Sequence, residues 1–127
     1  MAKKILIIDD DLSITTITRY VLEEKGYIVI IAENGKKGYE IAQKEKPDLI
    51  LLDTMMPEMD GYQVLKFLKT NPETKSIIVV MLTAKTMGGD VDVALGLGAD
   101  WYVTKPFDPK HLLEKIASLL KKEDEKD

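Results

Sequence analysis

The sequence predicts an α/β domain, a doubly wound parallel sheet of five strands with helices on both faces. Three observations predict it. Short β-rich runs at Lys4–Ile8, Tyr27–Ala32, Leu49–Leu52, Ile77–Leu82 and Trp101–Val103 are almost continuously apolar, as strands covered on both sides read. Segments of helical period separate them, so strand and helix alternate along the chain. A length of 127 residues, with 45% apolar and 31% charged residues, suits one self-supporting domain.

Each element has its own signal. After the first strand, Ile14, Ile17, Val21 and Leu22 share one helical face, and Gly26 stands where that helix should stop. Tyr39, Ile41 and Ala42 mark a second helix, ended before Pro47. Val64, Leu65 and Leu68 mark a third, closed by Asn71-Pro72. Val91, Ala94 and Leu95 mark a fourth, expected to be short because Gly88, Gly89, Gly96 and Gly98 each weaken a helix. Asp108-Pro109 is a cap and first-turn pair for the last helix, whose stripe is Leu112, Leu113, Ile116, Leu119 and Leu120. The domain is expected over residues 1–122, with 123–127 a charged, disordered tail.

Composition excludes several functions. With no cysteine there is neither disulfide nor thiolate chemistry, and His111, the single histidine, cannot build a histidine zinc cage. The net charge is −4 and Arg19 is the only arginine among 18 basic residues, which argues against direct nucleic-acid binding. The longest apolar run, Ile77–Leu82, is far too short to cross a bilayer, and the apolar stretch before Asp9 is too short for a signal peptide. A cytoplasmic location without membrane contact is expected.

Doubly wound sheets bind ligands beyond the carboxyl ends of their strands. At those ends stand Asp9, Asp10 and Asp11, then Asp53, then Thr83 before Ala84, then Lys105 before Pro106. Converging carboxylates repel one another unless they shift pKa or hold a cation, and oxygen-only ligation suits Mg²⁺. A carboxylate can also accept a phosphoryl group, and a metal, an ammonium and a hydroxyl would neutralise the charge. Each residue also has a plain reading: Asp10 or Asp11 as a helix cap, Thr83 as a strand residue, Lys105 as a turn lysine. Their coincidence at separate strand ends favours chemistry. Asp53-Thr-Met-Met-Pro57-Glu-Met-Asp60-Gly61 is expected to hold a Pro-containing turn leading to Asp-Gly, which re-aims the chain sharply beside Asp53.

The chain resembles the receiver domain of two-component response regulators, in particular the single-domain, chemotaxis-regulator type. The resemblance rests on Lys4-Ile-Leu-Ile-Ile-Asp9-Asp10-Asp11, Leu51-Leu-Asp53-Thr-Met-Met-Pro57-Glu-Met-Asp60-Gly61, Met81-Leu-Thr83-Ala84 and Gly98-Ala-Asp-Trp-Tyr102-Val-Thr-Lys105-Pro106-Phe107. It implies a flavodoxin-like sheet of order 2-1-3-4-5. It implies that Asp53 accepts the phosphoryl group from a histidine kinase or histidine phosphotransfer protein. Mg²⁺ would be held by Asp9, Asp10, Asp53 and the backbone carbonyl of Met55. Thr83 and Lys105 would close on the phosphoryl group, and Tyr102 would report the state. The bond between Lys105 and Pro106 is often cis in this family. The fourth helix, fifth strand and fifth helix would signal to an effector protein or output domain, the chain itself being no enzyme beyond its own phosphorylation and dephosphorylation. Trp101 stands where a small or acidic residue is more usual, either packed on the rim or altering the partner face.

Three other readings compete. A haloacid-dehalogenase-type phosphatase would use Asp9 as nucleophile, but would need a further acidic motif after the lysine. A flavin binder would need a phosphate loop where this chain is triply acidic. A receiver-like module that is never phosphorylated would not need the full set of acidic residues, Thr83 and Lys105.

Overall fold

A computed structural model describes residues 2–56, 58–83 and 93–125. The strands are β1 (Lys4–Ile8), β2 (Ile28–Ala32), β3 (Leu49–Asp53), β4 (Ile78–Thr83) and β5 (Trp101–Thr104). The helices are α1 (Leu12–Glu24), α2 (Gly35–Glu45), α3 (Gly61–Thr70), a turn of α4 at 93–96, and α5 (Pro109–Glu125). All strand pairs are parallel and the order is β2-β1-β3-β4-β5, as the resemblance implies.

Burial explains the apolar runs. The central strands β3 and β4 are buried at every position, whereas the edge strands β2 and β5 are partly open. One face carries Leu6, Ile8, Ile50, Leu52, Val79 and Met81 against Val64, Leu65 and Leu68 of α3. The other carries Ile5, Ile7, Leu51, Val80 and Leu82 against Leu22 of α1 and Leu112 and Ile116 of α5.

Local chemistry ends the helices as the sequence suggests. Asp11 caps α1 by accepting from the backbone N–H groups of Ser13 and Ile14, and Gly26 follows with φ +91°. Asp60 and Gln63 form a reciprocal capping box on α3. The Asp108 carboxylate accepts from Lys110 N–H at 2.9 Å at the start of α5.

Several expectations need correction. β3 and β4 run one residue further than their apolar runs, because Asp53 pairs with Leu82 and Thr83 with Thr104. On α1 the buried face is Thr15, Thr18 and Leu22, while Ile17 is 59% exposed. The two threonine hydroxyls donate to the Leu12 and Ile14 carbonyls, which satisfies them and lets them enter the core. On α4 Ala94 is buried and Leu95 exposed. The expectation for the glycine pair at 88–89 and for Val91 lies outside the described residues. α5 continues as far as Glu125, and Asp124 accepts from Lys3 at 2.8 Å. Residues 126–127 lie outside the described residues.

The α1 correction is testable by urea denaturation. Leu22→Ala should cost about 2–5 kcal/mol by emptying core volume. Ile17→Ala should change stability by less than about 0.5 kcal/mol. The reverse ranking would restore the isoleucine stripe as the packed face.

Candidate functional site

The parallel register aligns the carboxyl ends of β1, β3, β4 and β5. Ile8 lies beside Leu52, so Asp9 follows β1 next to Asp53 at the end of β3. Carboxylate oxygens of Asp9, Asp10 and Asp53 all lie within 4.8 Å of one another. Asp9 is fully buried, Asp53 is 5% exposed and Asp10 is exposed. Asp11, the fourth acidic candidate, turns to cap α1 instead. The Ser13 hydroxyl and the Ile14 and Ser13 N–H groups hold its carboxyl below the usual carboxylate range, with a smaller pull from Lys105.

Lys105 reaches into this cluster from the end of β5. Its ammonium donates to Asp9 Oδ2 at 2.9 Å and lies 3.2 Å from Asp53 Oδ1. The backbone supports the same two carboxylates. Asp11 N–H donates to Asp9 Oδ1 at 2.9 Å, and Met55 N–H to Asp53 Oδ1 at 3.3 Å. The peptide bond from Lys105 to Pro106 is cis. Thr83 is buried at the end of β4, and its carbonyl accepts from Lys105 N–H at 2.7 Å.

Burial pushes the Asp53 carboxyl up to about 6, the neighbouring Asp9 charge adds to the rise, and the Lys105 ammonium opposes it. Burial works to lower the Lys105 pKa, but its bond to Asp9 and the charges of Asp9 and Asp53 outweigh it and leave the ammonium above its ordinary value. Lys105 pairs with Asp9 and Asp53 while Asp10 stands within 4.8 Å of both, so the cluster keeps an excess of negative charge on oxygen ligands that suit a hard divalent cation such as Mg²⁺. The donor set fits that ion.

Two features of the site go beyond the sequence reading. In the loop after β3 Glu58 is left-handed, with φ +69°, so the chain turns sharply ahead of Asp60-Gly61, as the sequence suggests. Gly61 opens α3 against the site. A Cβ there would collide with the Asp53 carbonyl oxygen and come 2.8 Å from Thr54 Cα. The Asp-Gly pair is visible in sequence, but this close approach depends on how α3 docks. Tyr102 is half-buried, packs toward the α3 side of the core and stacks on Trp101 at 5.7 Å.

Residues 5–117 match the family model described as the response regulator receiver domain. The chain belongs to that family. It is 43% identical over 122 residues to the alkaline phosphatase synthesis transcriptional regulatory protein PhoP of Bacillus subtilis, covering 96% of this chain and 50% of that one. It is 39% identical over 122 residues to the phosphate regulon transcriptional regulatory protein PhoB of Escherichia coli, covering 96% and 53%. The receiver therefore spans about half the length of the curated relatives it matches. Among solved structures, a CheY-like receiver domain protein from Methanospirillum hungatei superposes with a TM-score of 0.92 at 34% identity, covering all of both chains. Chemotaxis protein CheY4 of Vibrio cholerae gives 0.88 at 30%, covering 93% of this receiver and 98% of that chain. Among the described residues no helix is long and apolar enough to cross a membrane.

The site makes two predictions. A carboxyl raised in the fold makes stability fall as pH rises from about 4, its ordinary value, to about 6. In metal-free buffer Asp53→Asn should remove this loss, exceeding wild type by about 1–2 kcal/mol at pH 7 once the lost Lys105 contact is discounted. The advantage should shrink toward pH 4 in denaturation curves, and a variant less stable than wild type at pH 7 would refute it. Gly61→Ala should displace the Asp53 backbone at a cost of about 1–3 kcal/mol, and chemical-shift changes should centre on Asp53 and Thr54. Unchanged stability and spectra would mean that α3 can retreat freely.

Proposed function

We propose that this receiver accepts a phosphoryl group on Asp53 from a phosphohistidine of a histidine kinase or phosphotransfer protein. The observation that carries the reading is the Lys105 ammonium spanning Asp9 and Asp53 beside the exposed Asp10. A carboxylate oxygen of Asp53 attacks phosphorus. The new P–O bond forms as the P–N bond breaks, and its electron pair returns to the donor imidazole.

Asp9, Asp10, Asp53 and the Met55 carbonyl would hold Mg²⁺. When bound, that ion supplies the positive charge that lets an anionic phosphoryl group approach an anionic carboxylate. Lys105 exchanges its contact with Asp53 for a phosphoryl oxygen, while its bond to Asp9 keeps it aimed at the site. The Thr83 hydroxyl, at the end of the neighbouring strand, turns to donate to a second oxygen. Tyr102 then moves into the space that Thr83 leaves, and the face of α4, β5 and α5 signals to an effector or output domain. The modification acts as a population shift between two packings, biased by one charged group. A cytoplasmic setting accords with this chemistry. Nucleic acid is not a direct partner of this stretch, given its net charge of −4 and single arginine.

Intact mass after incubation with a small-molecule acyl phosphate, with and without Mg²⁺, tests the reading. Wild type should gain one phosphoryl group only with Mg²⁺, and Asp53→Asn should gain none. A folded wild type that gains nothing would indicate a module that is never phosphorylated. Label on Asp9 would indicate phosphatase-type chemistry.

A further inference from the structure

β5 ends the sheet and pairs on one side only, with β4. Trp101 and Tyr102 are successive strand residues, so their side chains leave opposite faces of the sheet. Tyr102 accordingly packs on the core face that carries α3, while Trp101 lies against α5, its ring 3.7 Å from Lys115 Nζ. Yet the two rings stack, with centroids 5.7 Å apart and planes 18° apart. Rings on opposite faces can meet in this way only around the open edge of β5. The pair wraps that edge, as natural sheets cover exposed strand edges. Trp101 is 41% exposed, so burial alone does not fix its ring. The stack with Tyr102 and the Lys115 ammonium over its ring hold it.

We infer that Trp101 is a positioning residue for Tyr102: clasped between Tyr102 and Lys115, it holds the tyrosine at the sheet edge and opposes its inward turn. This rests on the switching role proposed above. Tyr102 cannot leave the edge without breaking the stack, so the clasp favours the unmodified packing. An aromatic pair of this kind biases such an equilibrium by about two- to tenfold. The clasp also turns the protein's single tryptophan into a reporter, since Trp101 loses its ring neighbour when Tyr102 moves.

The test follows tryptophan emission and intact mass together, with limiting acyl phosphate and Mg²⁺. In wild type, emission should change in step with phosphorylation. In Tyr102→Ala the mass should still rise without that change. Trp101→Ala should be phosphorylated about two- to tenfold faster than wild type. Trp101→Phe, which keeps a stacking ring, should stay near wild type. Lys115→Met, which alters no core contact of the sheet, should fall between them. Mass gain with equal rates in wild type, Trp101→Ala and Lys115→Met would overturn the clasp and leave the phosphorylation reading intact. Absence of mass gain in wild type would overturn both.

Discussion

The Lys105 ammonium joins two strand ends whose carboxylates would otherwise drive each other apart. Removing an ion from water costs several kcal/mol even after relaxation, and here Asp9 is fully buried and Asp53 almost so. The lysine offsets part of that cost, and the backbone N–H groups of Asp11 and Met55 take up further lone pairs. Among the described residues no buried side-chain polar atom lacks a partner. The charges still do not balance, since Asp10 joins the pair and one ammonium faces three carboxylates. With its hydrogen bonds satisfied and its charge only partly neutralised, the cluster could hold a cation.

The surrounding scaffold holds this arrangement still. β3 is buried along its whole length between β1 and β4, and Asp53 at its end is held in the β4 ladder beside Leu82. From the loop side α3 closes down on it. Gly61 N–H donates to the Thr54 carbonyl, and the missing Cβ lets the helix start directly against the Asp53 backbone. The capping box at Asp60 and Gln63 fixes where that helix begins. Asp53 is thus held from the sheet and the helix together, so its position is fixed by packing around it.

Most of this organisation was legible in the sequence because buried parallel strands and capped helices leave strong local signals. The five apolar runs located every strand to within a residue or two, and Asp108, Asn71 and Gly26 marked helix ends by their own chemistry. The four strand-end motifs identified Asp9, Asp10, Asp53, Thr83 and Lys105 as candidates, and the fold brings three of the aspartates and the lysine within reach of one another. What failed was information that tertiary packing creates. Thr15 and Thr18 displaced Ile17 from the core because a threonine that bonds its own helix backbone can be buried cheaply. The family resemblance already separated Asp9 and Asp10 from Asp11; local reading alone left Asp10 or Asp11 as the α1 cap, because three adjacent identical residues give no local clue. The role of Gly61 and the meeting of Trp101 with Tyr102 across an edge arise only from how the elements dock.

The placement of Lys105 just beyond the end of an edge strand bears on how a local charge change can be felt elsewhere. Moving β1, β3 or β4 would open both apolar faces of the core, because their side chains are buried on each side. β5 has one neighbour, partial exposure at every position and only four residues, so it is the strand next to the site that can shift at least cost. It is also joined to the chemistry at both levels. Lys105 N–H bonds the Thr83 carbonyl, Thr83 is in register with Thr104, and Tyr102 lies on the same strand. A phosphoryl group that drew on Lys105 and Thr83 would therefore pull on the edge strand beside the site, and the Trp101–Tyr102 stack on its open edge is the contact that such a pull would have to break.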